Sequence, residues 1–151
     1  MKEKILMFMK DMESNSADRV VSNWFTEESI VWIPPAVPVN GLSRIKALFR
    51  AIFGKHEFVS WDIVDILPVE QNRCIHICNS VGKIKNYGDY TNRVITDIVF
   101  DDNGKIKTLS DYFKNTEMFN ASKKVVDCPN IAMGSVNNQI NKIVPQLALS
   151  V

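Results

Sequence analysis

Apolar residues in the first third of the chain repeat at helical spacing and predict three amphipathic helices. The first spans residues 2 to 13, and Ser14-Asn15-Ser16 interrupts it and offers N-caps for the second. The third helix follows Asn40-Gly41, and Gly54 is the candidate residue for its C-terminal end. The buried stripes of the three helices are Ile5, Phe8, Met9 and Met12, then Ala17, Val20, Val21 and Trp24, then Ile45, Leu48, Phe49 and Ile52.

From Glu57 onward the pattern alternates with a period of two, which is typical of β-strands. A short strand over residues 29 to 33, stopped by Pro34-Pro35, precedes the third helix. Helices followed by a meander of antiparallel strands predict an α+β fold, in which a strongly curved sheet wraps the helices and leaves a conical cavity. The long strands are predicted over residues 57 to 67, 73 to 85, 90 to 100 and 105 to 113, with Pro68 to Asn72 turning the chain.

Asn103-Gly104 separates the last two strands and indicates a two-residue hairpin loop, because both central residues of a type I′ turn need φ > 0. This loop sets Phe100 opposite Lys107 and Thr96 opposite Asp111. A three-residue loop would shift the register by one and put Asp111 opposite the other face of its partner strand. With two residues, one face of the hairpin carries Tyr90, Asn92, Val94, Thr96, Ile98, Leu109, Asp111 and Phe113.

Asp111 is the acid/base candidate that this register indicates. Leu109 and Phe113 lie two residues away on either side, so we expect an apolar setting that disfavours the charged carboxylate and raises its pKa. Such a group is a candidate general acid or base. The structural alternative is a carboxylate that binds a backbone amide or pairs with Lys107 or Lys114.

Other side chains are candidates for the same cavity. Tyr90, Asn92 and Thr96 would hydrogen-bond a ligand carbonyl or orient the carboxylate, although Tyr90 and Thr96 are also ordinary strand formers. His76 is a second catalytic candidate because histidine titrates near neutral pH, whereas His56 is expected at the surface. The walls that would contact substrate are aromatic, with Trp24, Trp32, Phe49, Trp61 and Phe113 as the predicted residues.

Cys74, His76 and Cys78 share one strand face and raise the question of a metal site. The Cα atoms of residues two apart on a strand are separated by about 7 Å. Donor atoms that bind one zinc ion lie less than about 4 Å from each other. Buried thiols flanking a histidine are therefore favoured, and we predict no metal. The sequence has no Gly-rich phosphate loop, Ser-His-Asp signature or HExxH motif, so we predict no cofactor.

The composition and net charge limit the classes of binding partner that we expect. The chain has 151 residues, 46% of them hydrophobic, and a net charge of +1, so we expect neither nucleic acid nor an anionic membrane as partner. No segment approaches the ~20 apolar residues of a membrane span, and the N-terminus lacks signal-sequence features. Three scattered cysteines fit reduced thiols, which indicates a cytoplasmic protein.

The order of these elements resembles the nuclear transport factor two (NTF2)-like, cystatin-like α+β barrel. Three motifs carry a closer resemblance, namely Gly88-Asp89-Tyr90-Thr91-Asn92-Arg93, Gly104-Lys105-Ile106-Lys107 and Ser110-Asp111-Tyr112-Phe113. By these motifs the chain resembles, within that fold, the SnoaL-like polyketide cyclases and the phenazine biosynthesis A/B proteins. In catalytic members the acid of an acidic-aromatic pair is commonly the proton-transfer group, which places this role on Asp111. Relatives also often have a working histidine near the position of His56. The phenazine-type proteins have a glutamate there and a Met-Asn-Pro ending, where this chain has Asp111 and Lys114-Asn115.

The resemblance and the residues together predict a cofactor-free acid/base cyclase or isomerase for a small cyclic or polyketide-like intermediate of secondary metabolism. The alternatives are a non-catalytic protein that binds a hydrophobic small molecule, or a scaffold subunit. Relatives pair through the convex sheet face, which implies a homodimer. The domain is predicted over residues 1 to 119, with residues 120 to 151 as an extension that covers the cavity or packs on a partner subunit. The predicted apolar residues of the convex face are Ile95, Val99, Ile106 and Tyr112.

Overall fold

The computed structural model describes residues 1–116, which form three helices packed on a curved sheet of six strands. The predicted α+β class and the three helices are confirmed. The predicted domain boundary at residue 119 and the extension 120–151 lie outside the described residues. The elements are α1 Lys2–Glu13, α2 Ala17–Trp24, β1 Ile30–Trp32, β2 Val39–Asn40, α3 Leu42–Lys55, β3 His56–Glu70, β4 Arg73–Ile84, β5 Gly88–Phe100 and β6 Ile106–Phe113.

The sheet has the strand order β2-β1-β6-β5-β4-β3, and its last four strands form the predicted antiparallel meander. Strand β1 pairs in parallel with β6, which places Val31 opposite Leu109. The sheet is therefore mixed, whereas the sequence predicts antiparallel pairing throughout. A short hairpin enforces antiparallel pairing, but the long connection between β1 and β6 leaves both directions open.

Strand β3 is longer than the sequence predicts, because it continues through Pro68 to Glu70. Pro68 lies opposite Cys74 in the ladder, and only Gln71 and Asn72 turn the chain. Strand β3 is an edge strand. A proline is tolerated there since one side of an edge strand has no neighbour to which an N–H must donate.

The turn between β5 and β6 differs from the predicted two-residue loop. The Asp101 N–H donates to the Lys105 carbonyl at 2.7 Å, and the Gly104 N–H donates to the Asp101 carbonyl at 3.0 Å. Gly104 is in the left-handed region at φ 80°, whereas Asn103 is not among the positive-φ residues. The loop therefore contains three residues closed by a left-handed glycine.

A β-bulge nevertheless restores the predicted register around Asp111. Phe100 pairs with Ile106, but Val99 pairs with Thr108, so Lys107 is the additional residue on β6. The loop and the bulge each add one residue, and their effects on the register cancel. As a result, Asp111 lies opposite Thr96 as predicted.

Because of the same bulge, the prediction for the outer, convex face of the sheet is wrong for one residue, Ile106. Ile95 and Tyr112 are exposed there, but Ile106 is fully buried in the core. Side chains alternate along a strand, and the bulge at Lys107 reverses the alternation before it, which turns Ile106 inward. Pairing of two copies through this face stays a prediction.

The helices lie over the concave face of the sheet and bury most of the stripe residues that the sequence predicts, whereas Met12, Leu48 and Ile52 are half-buried. Ile5, Val20 and Ile45 are fully buried, one from each helix. Phe49 of α3 packs against Phe25, with ring centroids 5.6 Å apart. Within residues 1–116, no helix combines the length and the hydropathy needed to cross a membrane.

Candidate active site

A cavity of about 340 Å³ lies between the concave face of the sheet and the helices α1 and α3. This volume is within the range of small-molecule sites. Most of its wall is apolar, and the polar side chains are few and come mainly from β4, β5 and β6. The apolar wall includes Phe8, Met9, Met12, Leu48, Phe49, Ile52, Trp61, Val94, Leu109 and Phe113, and the polar groups include His56, His76, Ser80, Tyr90, Thr96 and Asp111.

Three polar side chains form a row across the central strands of the sheet. His76 on β4 lies opposite Thr96 on β5, which lies opposite Asp111 on β6. Directly opposed side chains have Cβ atoms about 4.5–5.5 Å apart. All three residues border the cavity. The row therefore brings both predicted catalytic residues, Asp111 and His76, to the same part of the wall.

Burial gives Asp111 an unusual pKa. The apolar surroundings raise the pKa of its carboxyl to about 7, and the hydrogen bond from Thr96 opposes this only in part. Thr96 Oγ1 donates to Asp111 Oδ1 at 2.6 Å. The residue as a whole is half-buried because it borders the cavity, so its carboxyl is enclosed by protein and still open to a ligand. Near neutral pH the group holds its proton about half of the time, which suits both general base and general acid.

His76 is neutral and has an unsatisfied nitrogen. The side chain is 1% exposed, and burial lowers the pKa of its imidazole to about 4. Its Nδ1 atom has no hydrogen-bond partner among residues 1–116. A buried nitrogen without a partner is costly, so a polar group of a bound ligand would satisfy it.

A second polar cluster of the cavity contains His56 and Tyr90. The Tyr90 hydroxyl lies 3.1 Å from His56 Nε2, and His56 Nδ1 lies 2.7 Å from the Ile52 carbonyl. Burial raises the pKa of the Tyr90 phenol to about 12, with Ser80 opposing it through a hydrogen bond. The expectation that His56 is a surface residue is wrong. The residue is half-buried and lines the cavity, because α3 runs directly into β3 and turns this junction inward.

Three predicted substrate-binding residues do not line this cavity. Trp24 is buried between α1 and α2, where its Nε1–H donates to Asp11 at 2.8 Å. Trp32 packs edge-on against Tyr112 of the outer sheet face. Asn92 is buried, and its Nδ2–H donates to the Asn115 carbonyl at 2.7 Å.

The remaining predicted residues, Tyr90, Thr96, Phe49, Trp61 and Phe113, all border the cavity. Ser80 also borders the cavity, although it is not among the residues predicted from the sequence. A signal for it was present, because Ser80 continues the alternation of His76 and Cys78 along the same strand face.

The cysteines of β4 are buried thiols. Cys78 borders the cavity, and burial raises the pKa of its thiol to about 12, with the nearby carboxylates of Asp111 and Asp62 adding to the effect. Cys74 is fully buried, and burial raises its pKa as well. In the described part of the chain, no three His, Cys, Asp or Glu residues are placed to hold a metal ion.

Comparison with solved structures identifies the fold. An NTF2-like protein of unknown function from Exiguobacterium sp. 255-15 matches with a TM-score of 0.65 and 14% identity, over 75% of this chain and 99% of that chain. An LEH-like epoxide hydrolase from M. tuberculosis matches with a TM-score of 0.62 and 18% identity, over 79% and 86% of the two chains. The epoxide hydrolase/cyclase-like enzyme SalBIII, described for pyran ring formation in the polyether salinomycin, matches with a TM-score of 0.64 and 11% identity, over 74% and 88%.

At these identities the likeness shows the fold alone, and the chain has the NTF2-like fold. No protein-family model matches the sequence, and no curated protein sequence matches it either.

Proposed function

We propose that this protein is an acid/base cyclase or isomerase that acts without a cofactor on a small, largely apolar carbonyl compound. The observation that carries the proposal is the carboxyl of Asp111, which borders an apolar cavity and has a pKa raised to about 7 by burial. General bases and acids work best when their pKa lies near the working pH.

Asp111 would transfer a proton at the carbon next to the carbonyl. Thr96 occupies Oδ1 of the carboxyl, so the Oδ2 atom takes the proton from the carbon while the electron pair of the C–H bond moves to the carbonyl oxygen. Neutral His76 would then hydrogen-bond the oxygen that gains charge. Return of the proton at another carbon completes an isomerisation. In a cyclisation, the enolate carbon instead attacks a second carbonyl carbon of the same molecule, and the proton goes to the new alkoxide.

The finer proposal is a SnoaL-like reaction on a cyclic or polyketide-like intermediate. Two of the structural neighbours are described as an epoxide hydrolase and as an epoxide hydrolase/cyclase-like enzyme of pyran ring formation. They support small-molecule chemistry in a cavity of this fold. The apolar wall of the cavity of this chain favours a hydrophobic substrate.

Deuterium exchange tests the proton transfer without knowledge of the natural substrate. β-Tetralone is an enolisable bicyclic ketone, and its incorporation of deuterium from D₂O can be followed by NMR. We expect the wild-type protein to accelerate the exchange and Asp111→Asn to lower the rate about 10²–10⁴-fold, the usual contribution of a positioned acid or base. The matched control is Asp89→Asn, which removes an exposed carboxylate from strand β5.

Two results would count against the proposal. Equal exchange by Asp111→Asn and wild type would show that this carboxyl is not the proton-transfer group. Binding of β-tetralone by the wild-type protein without any acceleration of exchange would favour the alternative function, a protein that only holds a hydrophobic ligand in the apolar cavity.

A further inference from the structure

The cavity has a second polar region far from Asp111. Tyr90 and Thr96 lie on the same face of β5, six residues apart. At about 3.3 Å per residue their Cα atoms are separated by up to about 20 Å. Val94 and Cys78, which pair across the strands, line the wall between the two regions. A ligand that fills the cavity therefore meets polar groups at both ends and an apolar wall between them.

The hydrogen bonds of the second region have a defined direction when His56 is neutral. The Ile52 carbonyl only accepts, so His56 Nδ1 must carry the proton of the 2.7 Å hydrogen bond. His56 Nε2 is then an acceptor, and the Tyr90 hydroxyl donates to it across 3.1 Å. The Tyr90 oxygen thereby uses its only proton inside the protein, and the hydrogen bond from the Ser80 hydroxyl occupies one of its two lone pairs. The Tyr90 oxygen therefore offers its remaining lone pair to the cavity.

Gly82 fixes the position of the Tyr90 ring. The two residues lie directly opposite each other on β4 and β5. A Cβ atom at Gly82 would come within 2.8 Å of Tyr90 Cε1 and 2.7 Å of the Phe58 carbonyl oxygen. The aromatic ring therefore packs on the glycine backbone where no other residue fits without displacement, which holds the hydroxyl in place.

We propose that Tyr90 binds a hydroxyl group at the far end of the substrate, which makes the substrate an elongated apolar molecule with a carbonyl near Asp111 and a hydroxyl near Tyr90. The Tyr90 oxygen accepts a hydrogen bond from the ligand hydroxyl, while His56 holds the phenol in the required orientation. This inference rests on the proposed function for the carbonyl end only. The hydroxyl end is a matter of binding and is measured without turnover.

A double-mutant cycle between protein and ligand tests the hydroxyl contact. The probes are methyl n-alkyl ketones of eight, ten and twelve carbons and their ω-hydroxy counterparts, with affinities measured by isothermal titration calorimetry. The ratio of the two dissociation constants, alkyl to hydroxyalkyl, is compared between wild type and Tyr90→Phe. We expect this ratio to fall about three- to tenfold in Tyr90→Phe at the best chain length, since the ligand hydroxyl loses its acceptor.

Tyr112→Phe is the matched control, because Tyr112 carries the same hydroxyl on the exposed outer face. Its ratio should equal that of the wild type. The same cycle in an Asp111→Asn background should give the same fall, which separates this contact from the proton transfer. An unchanged ratio in Tyr90→Phe at every chain length, or no measurable binding of any hydroxy ketone, would overturn the inference and leave the role of Asp111 untouched.

Discussion

Asp11 and Asp111 are both enclosed by protein, and their environments shift their pKa values in opposite directions. Asp11, at the α1–α2 junction, is 7% exposed, and burial alone would raise its pKa. Its carboxylate nevertheless accepts hydrogen bonds from Arg19, Asn23 and Trp24, and together with the Arg19 charge they lower the pKa below 3.8. Asp111 has one donor among the described residues, Thr96, and burial raises its pKa to about 7.

The comparison shows that burial alone does not make a carboxyl group an acid/base catalyst. The number of donors decides whether the charged form is compensated. Asp11 is fully engaged and serves as a structural anion that joins α1 to α2. Asp111 is left under-compensated beside a cavity, which costs stability and keeps its proton exchangeable.

The largest expected effect on stability comes from Asp111→Asn. Because the folded-state pKa of about 7 lies above the ordinary value of 3.8, ionisation destabilises the native state, and wild-type stability falls as pH rises between these values. The neutral amide avoids this cost. We expect Asp111→Asn to be more stable than wild type by up to about 4 kcal/mol at pH 8, with the difference vanishing below about pH 4.

Urea unfolding at several pH values from 4 to 8 measures this difference. Asp89→Asn, at an exposed site of β5, provides the baseline and should show no comparable gain at high pH. If Asp111→Asn had the stability of wild type at pH 8, Asp111 would ionise without cost and the contrast with Asp11 would disappear.

Removing the other aspartate should have the opposite sign. Asp11→Ala leaves three donors without their acceptor, including the Trp24 indole N–H inside the protein. We expect a loss of about 3 kcal/mol at neutral pH, measured by urea unfolding. Since the folded-state pKa of Asp11 is lowered, its contribution is present above pH 3.8 and is lost as pH falls through the folded-state pKa, so the deficit of the variant should shrink in acid.

Asp18→Ala is the control for an exposed ion pair. Asp18 pairs with Lys46 and Arg50 at the surface, where such contacts contribute little. A loss in Asp11→Ala no larger than in Asp18→Ala would mean that the three donors do not stabilise the buried charge.

Most of the fold follows from local patterns in the sequence. The helical stripe of α2 and the alternation of β5 and β6 each depend on residues close in the chain, so the period alone predicts them. The predicted two-residue turn at Asn103-Gly104 is wrong, because a type I′ loop and a three-residue loop with Gly104 in the left-handed region suit the same residues. The bulge at Lys107 has no sequence signal of its own, and the predicted register near Asp111 is correct because the two deviations, in the loop and at the bulge, cancel.

The candidate site was less predictable because it depends on contacts between distant segments. The sequence places Asn92 on the same strand face as Thr96, but the chain after β6 returns to it and its amide binds the Asn115 backbone. Trp24 belongs to an apolar stripe, yet Asp11 of the preceding helix determines where its indole points. His56 lies at a junction between two elements, where neither helical nor strand periodicity determines the direction of a side chain.

The smallest predicted effect concerns the single donor of Asp111. Thr96→Val keeps the shape of the side chain and removes the hydroxyl that donates to Asp111 Oδ1. We expect the pKa of Asp111 to rise by about one further unit, because a hydrogen bond to the charged form contributes on the order of 1–2 kcal/mol and one pKa unit corresponds to about 1.4 kcal/mol. A ¹³C NMR titration of the Asp111 carboxyl measures the shift, and the pH dependence of β-tetralone exchange should move in the same direction.

Thr91→Val, on the exposed face of β5, is the control and should leave the titration of the Asp111 carboxyl unchanged. A fall in the pKa of Asp111 in Thr96→Val would contradict the view that donor number separates the two aspartates, since losing a donor would then favour the charged form.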